Sequence, residues 1–222
     1  MKLVLLAGLV SLSATAMAFD QNESEVLMSI KTPMSAELAP TQVVLKNDSF
    51  NDNGGQAYIQ QGFVDGEKVG IWVQVPANIQ KFKVDSFRVL IGNARMTPMK
   101  EEVLNSEVFF TMGLARDYSP TMPADIQNAA QVTAGPYWND IPAQGSQGSL
   151  GCATGGQLIG AALEFTHSGL PSVYRDLDGL SDMKKNTLMA IPGGWKYSSS
   201  YGLRGDWVLR VVGHAAQADE CP

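Results

Sequence analysis

The chain has 222 residues, 45% of them hydrophobic and 17% charged, with 22 Gly and 11 Pro. That composition fits one globular domain with flanking segments and excludes a collagen, a coiled coil and a disordered tail. Acidic residues outnumber basic ones by 22 to 16 for a net charge of -6, so there is no basic field to attract a phosphate backbone, which argues against nucleic acid as a partner. The 2 His and 2 Cys are too few for a His-rich metal centre or a zinc ribbon.

Residues 1–18, MKLVLLAGLVSLSATAMA, place Lys2 ahead of an apolar run from Leu3 to Val10, a small polar stretch, and Ala16-Met17-Ala18 before Phe19. This is the three-part pattern of a cleavable secretory signal peptide. A membrane anchor needs about 20 apolar residues, and Ser11, Ser13 and Thr15 interrupt this one. The expected destination is the periplasm or the cell exterior, with no membrane span in the mature chain. In an oxidising compartment Cys152 and Cys221 form a disulfide by default. Such a bridge closes a long loop, is worth roughly 4 kcal/mol in the chain-entropy model, and ties down a C-terminal tail, 214–222. The surrounding SLGCATGG has no basic residue or His to lower a thiol pKa, so a catalytic thiol at Cys152 has no support.

Residues 19–40 are polar and weakly periodic and read as a linker or loosely docked arm, in which SEVLMSI has the makings of one strand. The ordered domain is expected over 41–213. It opens with the strand TQVVLK, and the Asn, Asp and Gly cluster NDSFNDNGG that follows reads as a turn. In KVGIWVQVP, residues Val69, Ile71, Val73 and Val75 share one parity, the period-2 pattern of a half-buried strand. Phe82 and Val84 share one parity while Phe87, Val89 and Ile91 share the other, which predicts a β-bulge at Asp85-Ser86. Further strands are expected at 107–114, 126–133, 137–141, 158–165, 172–174, 187–191 and 207–212. Only Met99 to Asn105, MKEEVLN, has the composition of a short helix. About ten short strands separated by Gly, Pro, Asn and Asp turns, with no long amphipathic helix and no internal repeat, predict an all-β fold: an antiparallel β-sandwich.

Certain segments carry a resemblance. GFVDGEKVGIWVQVP at 62–76, FKVDSFRVLIG at 82–92, SGLPSVYRDLDG at 168–179 and LRGDWVLRVV at 203–212 together resemble a loose group of exported bacterial β-sandwich proteins of uncharacterised function. The group combines an acidic turn near its start with a G-F-x-x-G-E element and a terminal G-D-W-x-x-R strand. Asn47-Asp48-Ser49 stands in place of the acidic turn. The resemblance covers about residues 41 to 213 and implies a jelly-roll-like sandwich of the kind found in carbohydrate-binding modules, with no activity attached. Its residues read physically as structural. Gly62, Gly66 and Gly205 are turn glycines, Asp206 enters the last strand, Trp207 fills space between sheets, and Arg210 pairs or snorkels on the opposite parity.

Two constellations bear on function. Asp176-Leu177-Asp178-Gly179 supplies oxygens at alternating positions before a glycine, as a calcium loop requires. A solvated turn gives the same pattern, and Leu180 stands where another ligand would be expected, so Asp176 and Asp178 are the candidate calcium ligands of a chain otherwise expected to need no cofactor. The second constellation is aromatic: Tyr137 and Trp138 in GPYWND, and Trp195, Tyr197 and Tyr201 in GGWKYSSSYG. Sugar rings stack their apolar faces on exposed aromatics, so these five are the candidate glycan-binding residues; the alternative is that Trp138 and Trp195 cap the sandwich as core. Arg204-Gly205-Asp206 spells an adhesive tripeptide but runs directly into a strand. Glu164 and His167 lie near one strand end, with no HExxH and no G-x-S-x-G to make them catalytic. The expected function is a secreted, non-catalytic binding module with glycan as its ligand. The alternative is a structural or protein-interaction component of the cell envelope or matrix, and a hydrolase with sequence-distant carboxylates is third.

Overall fold

The structure, a computed structural model, describes residues 25–31, 38–92, 101–110, 126–133, 138–143, 151–166, 172–191 and 193–221. The expected signal peptide, Tyr137 and His167 lie outside them. In chain order the described strands are β1 (Glu25–Lys31), β2 (Gln42–Leu45), β3 (Gly54–Gln60), β4 (Lys68–Gln74), β5 (Lys81–Gly92), β6 (Glu101–Phe110) and β7 (Ile126–Thr133). They continue with β8 (Trp138–Pro142), β9 (Cys152–Thr154), β10 (Leu158–Phe165), β11 (Ser172–Arg175), β12 (Asn186–Ala190), β13 (Gly194–Tyr197) and β14 (Leu209–Ala215). A 3-10 turn at Ser198–Tyr201 follows β13.

Two antiparallel sheets pack face to face, the all-β sandwich that the turn-punctuated sequence predicts. The first runs β1-β3-β11-β5-β14-β2, with β8 and β9 also pairing to β5; the second runs β13-β12-β4-β10-β6-β7. Strand β2 lies beside β14, so the C-terminal strand returns to pair near the start of the domain. Alternation builds the core between the sheets. Val69, Ile71 and Val73 of β4 and Ile159, Ala161 and Leu163 of β10 meet Phe87, Val89 and Ile91 of β5 and Leu209 and Val211 of β14. Each of the Val, Ile, Leu and Phe side chains among them, fully buried, contributes about 1.5–3 kcal/mol.

The phase slip in β5 is a bulge. Strand β14 pairs Val212 with Ser86 and then Gly213 with Val84, leaving Asp85 as the extra residue. Phe82 and Val84 therefore face the same core as Phe87 and Val89 despite their opposite parity.

One expectation is corrected. The helix over Met99–Asn105 does not form, because Glu101 to Asn105 belong to β6, which pairs with β10 on one side and β7 on the other. A helix under two turns lacks the length to offset its nucleation cost, and strand pairing overrides local propensity. The strand expected at 107–114 accordingly begins earlier, at Glu101. Within 19–40, Glu25–Lys31 is β1, registered along the whole of β3.

Candidate functional site

Most residues of the recurring segments hold the fold together. Strand β11 bridges to Trp207 through Arg175, which brings Asp176 and Asp206 side by side beneath the 203–206 turn. Asp176 accepts from the backbone N–H groups of Ser49 and Asp206, both at 2.8 Å. Asp206 accepts from the Ser181 N–H at 2.8 Å and from the Asn186 amide, and the Asn186 carbonyl oxygen accepts from Trp207 N at 3.1 Å. Trp207 Nε1 donates to Ser198 Oγ at 2.9 Å. Both carboxylates are buried. Burial, opposed by these hydrogen bonds, pushes the Asp176 carboxyl up to about 6, and burial raises Asp206 as well. Gly205 has φ +84, and a Cβ there would collide with the Asp176 carbonyl oxygen, so the turn requires glycine on two counts. Asp206, buried, is not displayed for recognition as part of an Arg204-Gly205-Asp206 tripeptide.

The two carboxylate oxygens of Asp176 are each engaged by protein donors, whereas Asp178 is exposed. Among the described residues no group of three or more His, Cys, Asp or Glu gathers as a metal set. In the G-F-x-x-G-E element Gly62 and Gly66 have φ of 90° and 85°, as turn glycines do. Glu67 is fully buried and accepts from Val64 N at 3.0 Å and Ile191 N at 3.1 Å, pinning two loops together.

On the outer face of the first sheet Arg210 forms a fork with Asp48, Nε to Oδ2 at 3.0 Å and Nη2 to Oδ1 at 2.6 Å, and also donates to Phe50 O and to Asp52. Burial lowers the guanidinium pKa, but the hydrogen bond and charge of Asp48 more than offset this and raise it. The Asp52 carboxyl, raised by burial, is brought below its ordinary value by its bond to Arg210. The Arg210 guanidinium sits 4.3 Å from the Trp138 ring centroid, and Arg88 makes a second fork with Asp140, both distances 2.7 Å.

The candidate aromatics do not form one platform. Trp138 is 6% exposed and packs with Phe50, Leu90 and Tyr174 under that ionic cover. It lies in a buried cluster on the outer face of the first sheet. Tyr201 packs against the inter-sheet core, with Lys196 5.8 Å from its ring centroid. Burial, with the charge of Glu67, raises the Tyr201 phenol pKa. Trp195 and Tyr197 go elsewhere. Their register opposite β12 puts Tyr197 across from Thr187, which in turn faces Gly70, while Lys196 falls opposite the core residue Leu188. Trp195 and Tyr197 therefore share the outer face of the second sheet with Gly70 and Trp72. There Trp195 packs on the cluster Trp72, Leu158 and Ala162. The Trp72 ring lies across Gly160, where a Cβ would sit 2.7 Å from it. Both Trp195 and Tyr197 remain half-buried.

A second feature is an open cleft of about 550 Å³ lined by Thr41, His214, Ala215, Gln217, Asp219 and Glu220. Near it Cys152 and Cys221 form the expected disulfide, with Cα atoms 5.9 Å apart across a sequence separation of 69. Glu164, raised as a catalytic candidate, pairs with Lys68 at 2.7 Å.

No family model matches the sequence, and no curated protein matches it. Among solved structures it is similar to the cysteine protease and lectin-like domains of Cwp84, a surface layer associated protein of Clostridium difficile, at 6% identity and a TM-score of 0.44. The likeness covers 82% of this chain and 37% of that one. What is defined is the class: a disulfide-containing, two-sheet β-sandwich. No described helix is long and apolar enough to cross a membrane.

Proposed function

We propose that this chain is an exported, non-catalytic binding module that takes glycan on the outer face of its second sheet, at Trp195 and Tyr197. The observation that carries the reading is the placement of this pair. Two aromatic rings two residues apart on the edge strand β13 share one face, half-exposed, and Trp195 rests on an apolar floor that includes Trp72. Alternate residues of a strand lie about 6.6 Å apart, so the rings form a short row rather than a single stacking point. Tyr and Trp keep an apolar face and a polar edge, suited to a sugar's C–H face and hydroxyls. Of the other three candidates, Trp138 and Tyr201 pack into the cores, and Tyr137 lies outside the described residues.

The test is binding to a glycan array and to insoluble polysaccharides. Binding by the wild-type chain, abolished in Tyr197→Ala with an unchanged melting temperature, is the expected result. A blank array, or binding indifferent to both Tyr197→Ala and Trp195→Phe, overturns the reading. A protein-interaction role is the second reading, and a specific observation favours it: β1 ends the first sheet's strand order and carries Leu27, 52% exposed. An edge strand with an exposed apolar side chain is a template for pairing with another chain.

A further inference from the structure

Beyond Ala215 the chain folds back over the start of β5. Ala216 N donates to Lys81 O at 2.9 Å, and Lys81 Nζ donates to Cys221 O. Gln217 N donates to Glu220 Oε2 at 2.9 Å, closing a tight turn. The bulge in β5 turns Asp85 toward His214, with a carboxylate oxygen 2.9 Å from Nδ1, and His214 Nε2 faces Glu220 Oε2 at 3.1 Å. Cys221 directly follows Glu220. Its partner Cys152 is registered opposite Lys83 on the same stretch of β5.

We propose that Asp85, His214 and Glu220 form a proton-dependent clasp that seats residues 216–221 on the first sheet and delivers the Cys221 thiol to Cys152, so that the disulfide locks a segment the clasp has already placed. The charge arrangement explains why. A protonated imidazole donates from both nitrogens and bridges the two carboxylates. A neutral one donates from a single nitrogen and leaves the other carboxylate facing a lone pair. The groups around His214 are Asp85 and, beyond it, Lys83 from β5, Gln42 from β2 at 3.2 Å from Asp85, and Glu220 and Asp219 from the tail. Carboxylates predominate, and Lys83 reaches Glu220 at 3.7 Å. The hydrogen bond to Asp85 raises the His214 pKa, with Glu220 adding to it, while the Gln217 N–H and His214 lower that of Glu220. A raised histidine pKa gives stability that is complete below the ordinary imidazole value and is lost as pH rises through the native one. Thiol–disulfide exchange runs the other way and speeds up as thiolate accumulates. Seating and bond formation therefore have opposite pH dependences.

The direct test removes the lock. In the full chain carrying Cys152→Ser and Cys221→Ser, amide exchange of residues 217–221, corrected for intrinsic rates, is measured near pH 5.5 and near pH 8.5. Protection is expected to fall about fivefold or more at the higher pH, where a neutral imidazole can donate to only one of the two carboxylates. Adding His214→Gln is expected to leave protection low and independent of pH. Equal protection at the two pH values, or an unchanged pH dependence with His214→Gln, overturns the proposal. If the serine chain does not fold, the disulfide of the intact protein is equilibrated with glutathione at the same two pH values. The effective concentration of the cysteine pair, corrected for thiol ionisation, is then expected to be higher at low pH and reduced in Glu220→Gln. Identical values for wild type, His214→Gln and Glu220→Gln overturn the proposal.

Discussion

The two sheets cover their outer faces by different chemistry. On the first sheet a ring of charge closes over an apolar patch. Arg210, paired to Asp48 and Asp52, lies over the Trp138 ring, Arg88 is paired to Asp140, and the charges are spent on each other. The corresponding face of the second sheet, along β4, β10 and β13, is built from Gly70, Trp72, Gly160, Ala162 and Trp195, where the absence of a side chain at Gly160 makes room for the Trp72 ring. Both faces hold tryptophan, yet among the described residues only the second leaves an aromatic side chain half-open. An exposed-looking aromatic in a sequence is thus read by what its neighbours supply: a guanidinium at 4.3 Å makes Trp138 a buried support, and small residues make Trp72 and Trp195 a floor.

The sharpest way to break the contrast is at the ionic cover. Arg210→Ala strands Asp48 as a buried, unpaired carboxylate and is expected to cost about 3–5 kcal/mol in urea unfolding; a loss under 1 kcal/mol would show the fork to be dispensable. On the other face Gly160→Ala pushes a methyl into the Trp72 ring and is expected to cost about 1–3 kcal/mol, read as a lower denaturation midpoint. Ionisation offers a third handle, at Asp176. Its native pKa, raised to about 6 by burial, means that the folded state holds the proton more tightly than the unfolded one. Its contribution to stability is therefore greatest near pH 4 and falls as pH rises through about 6. Unfolding midpoints of wild type and Asp176→Asn, compared from about pH 4 to pH 7.5, are expected to show a flatter profile in the variant, on top of about 1–3 kcal/mol lost where the Asn amide faces a backbone N–H. The smallest effect on stability is expected for Tyr197→Ala, within about 0.5 kcal/mol, while glycan binding disappears.

Much of the architecture is legible from local pattern because period-2 alternation reports burial directly. Val69, Ile71 and Val73 declare their face, and the parity change between Val84 and Phe87 declares the bulge. The turn at Gly205-Asp206 is legible from residue type. What local pattern does not carry is the identity of the partner across the sheet. MKEEVLN reads as helical because its acceptance into β6 depends on β7 and β10. Strand β13 reads as loop because its strand character comes from pairing with β12. Trp138 looks displayed because its cover, Arg210, is 72 positions away in a strand that the sequence alone places only by parity. The clasp is invisible for the same reason: Asp85 and His214 are 129 residues apart, and only the bulge turns one toward the other.

That bulge also sets how the chain tolerates length change. In β5 the segments before and after Asp85 serve different neighbours, β9 on one side and β8 on the other, yet send their apolar side chains into one core. Deleting Asp85 would not shorten a loop. It would bring Phe82, Val84, Phe87 and Val89 into one unbroken alternation facing the same core, so the strand would lose its bulge and, with it, the carboxylate that faces His214. The core therefore does not need this residue but the His214 contact does: deleting one residue of β5 away from the bulge turns part of its apolar side chains to the opposite face, whereas deleting Asp85 does not.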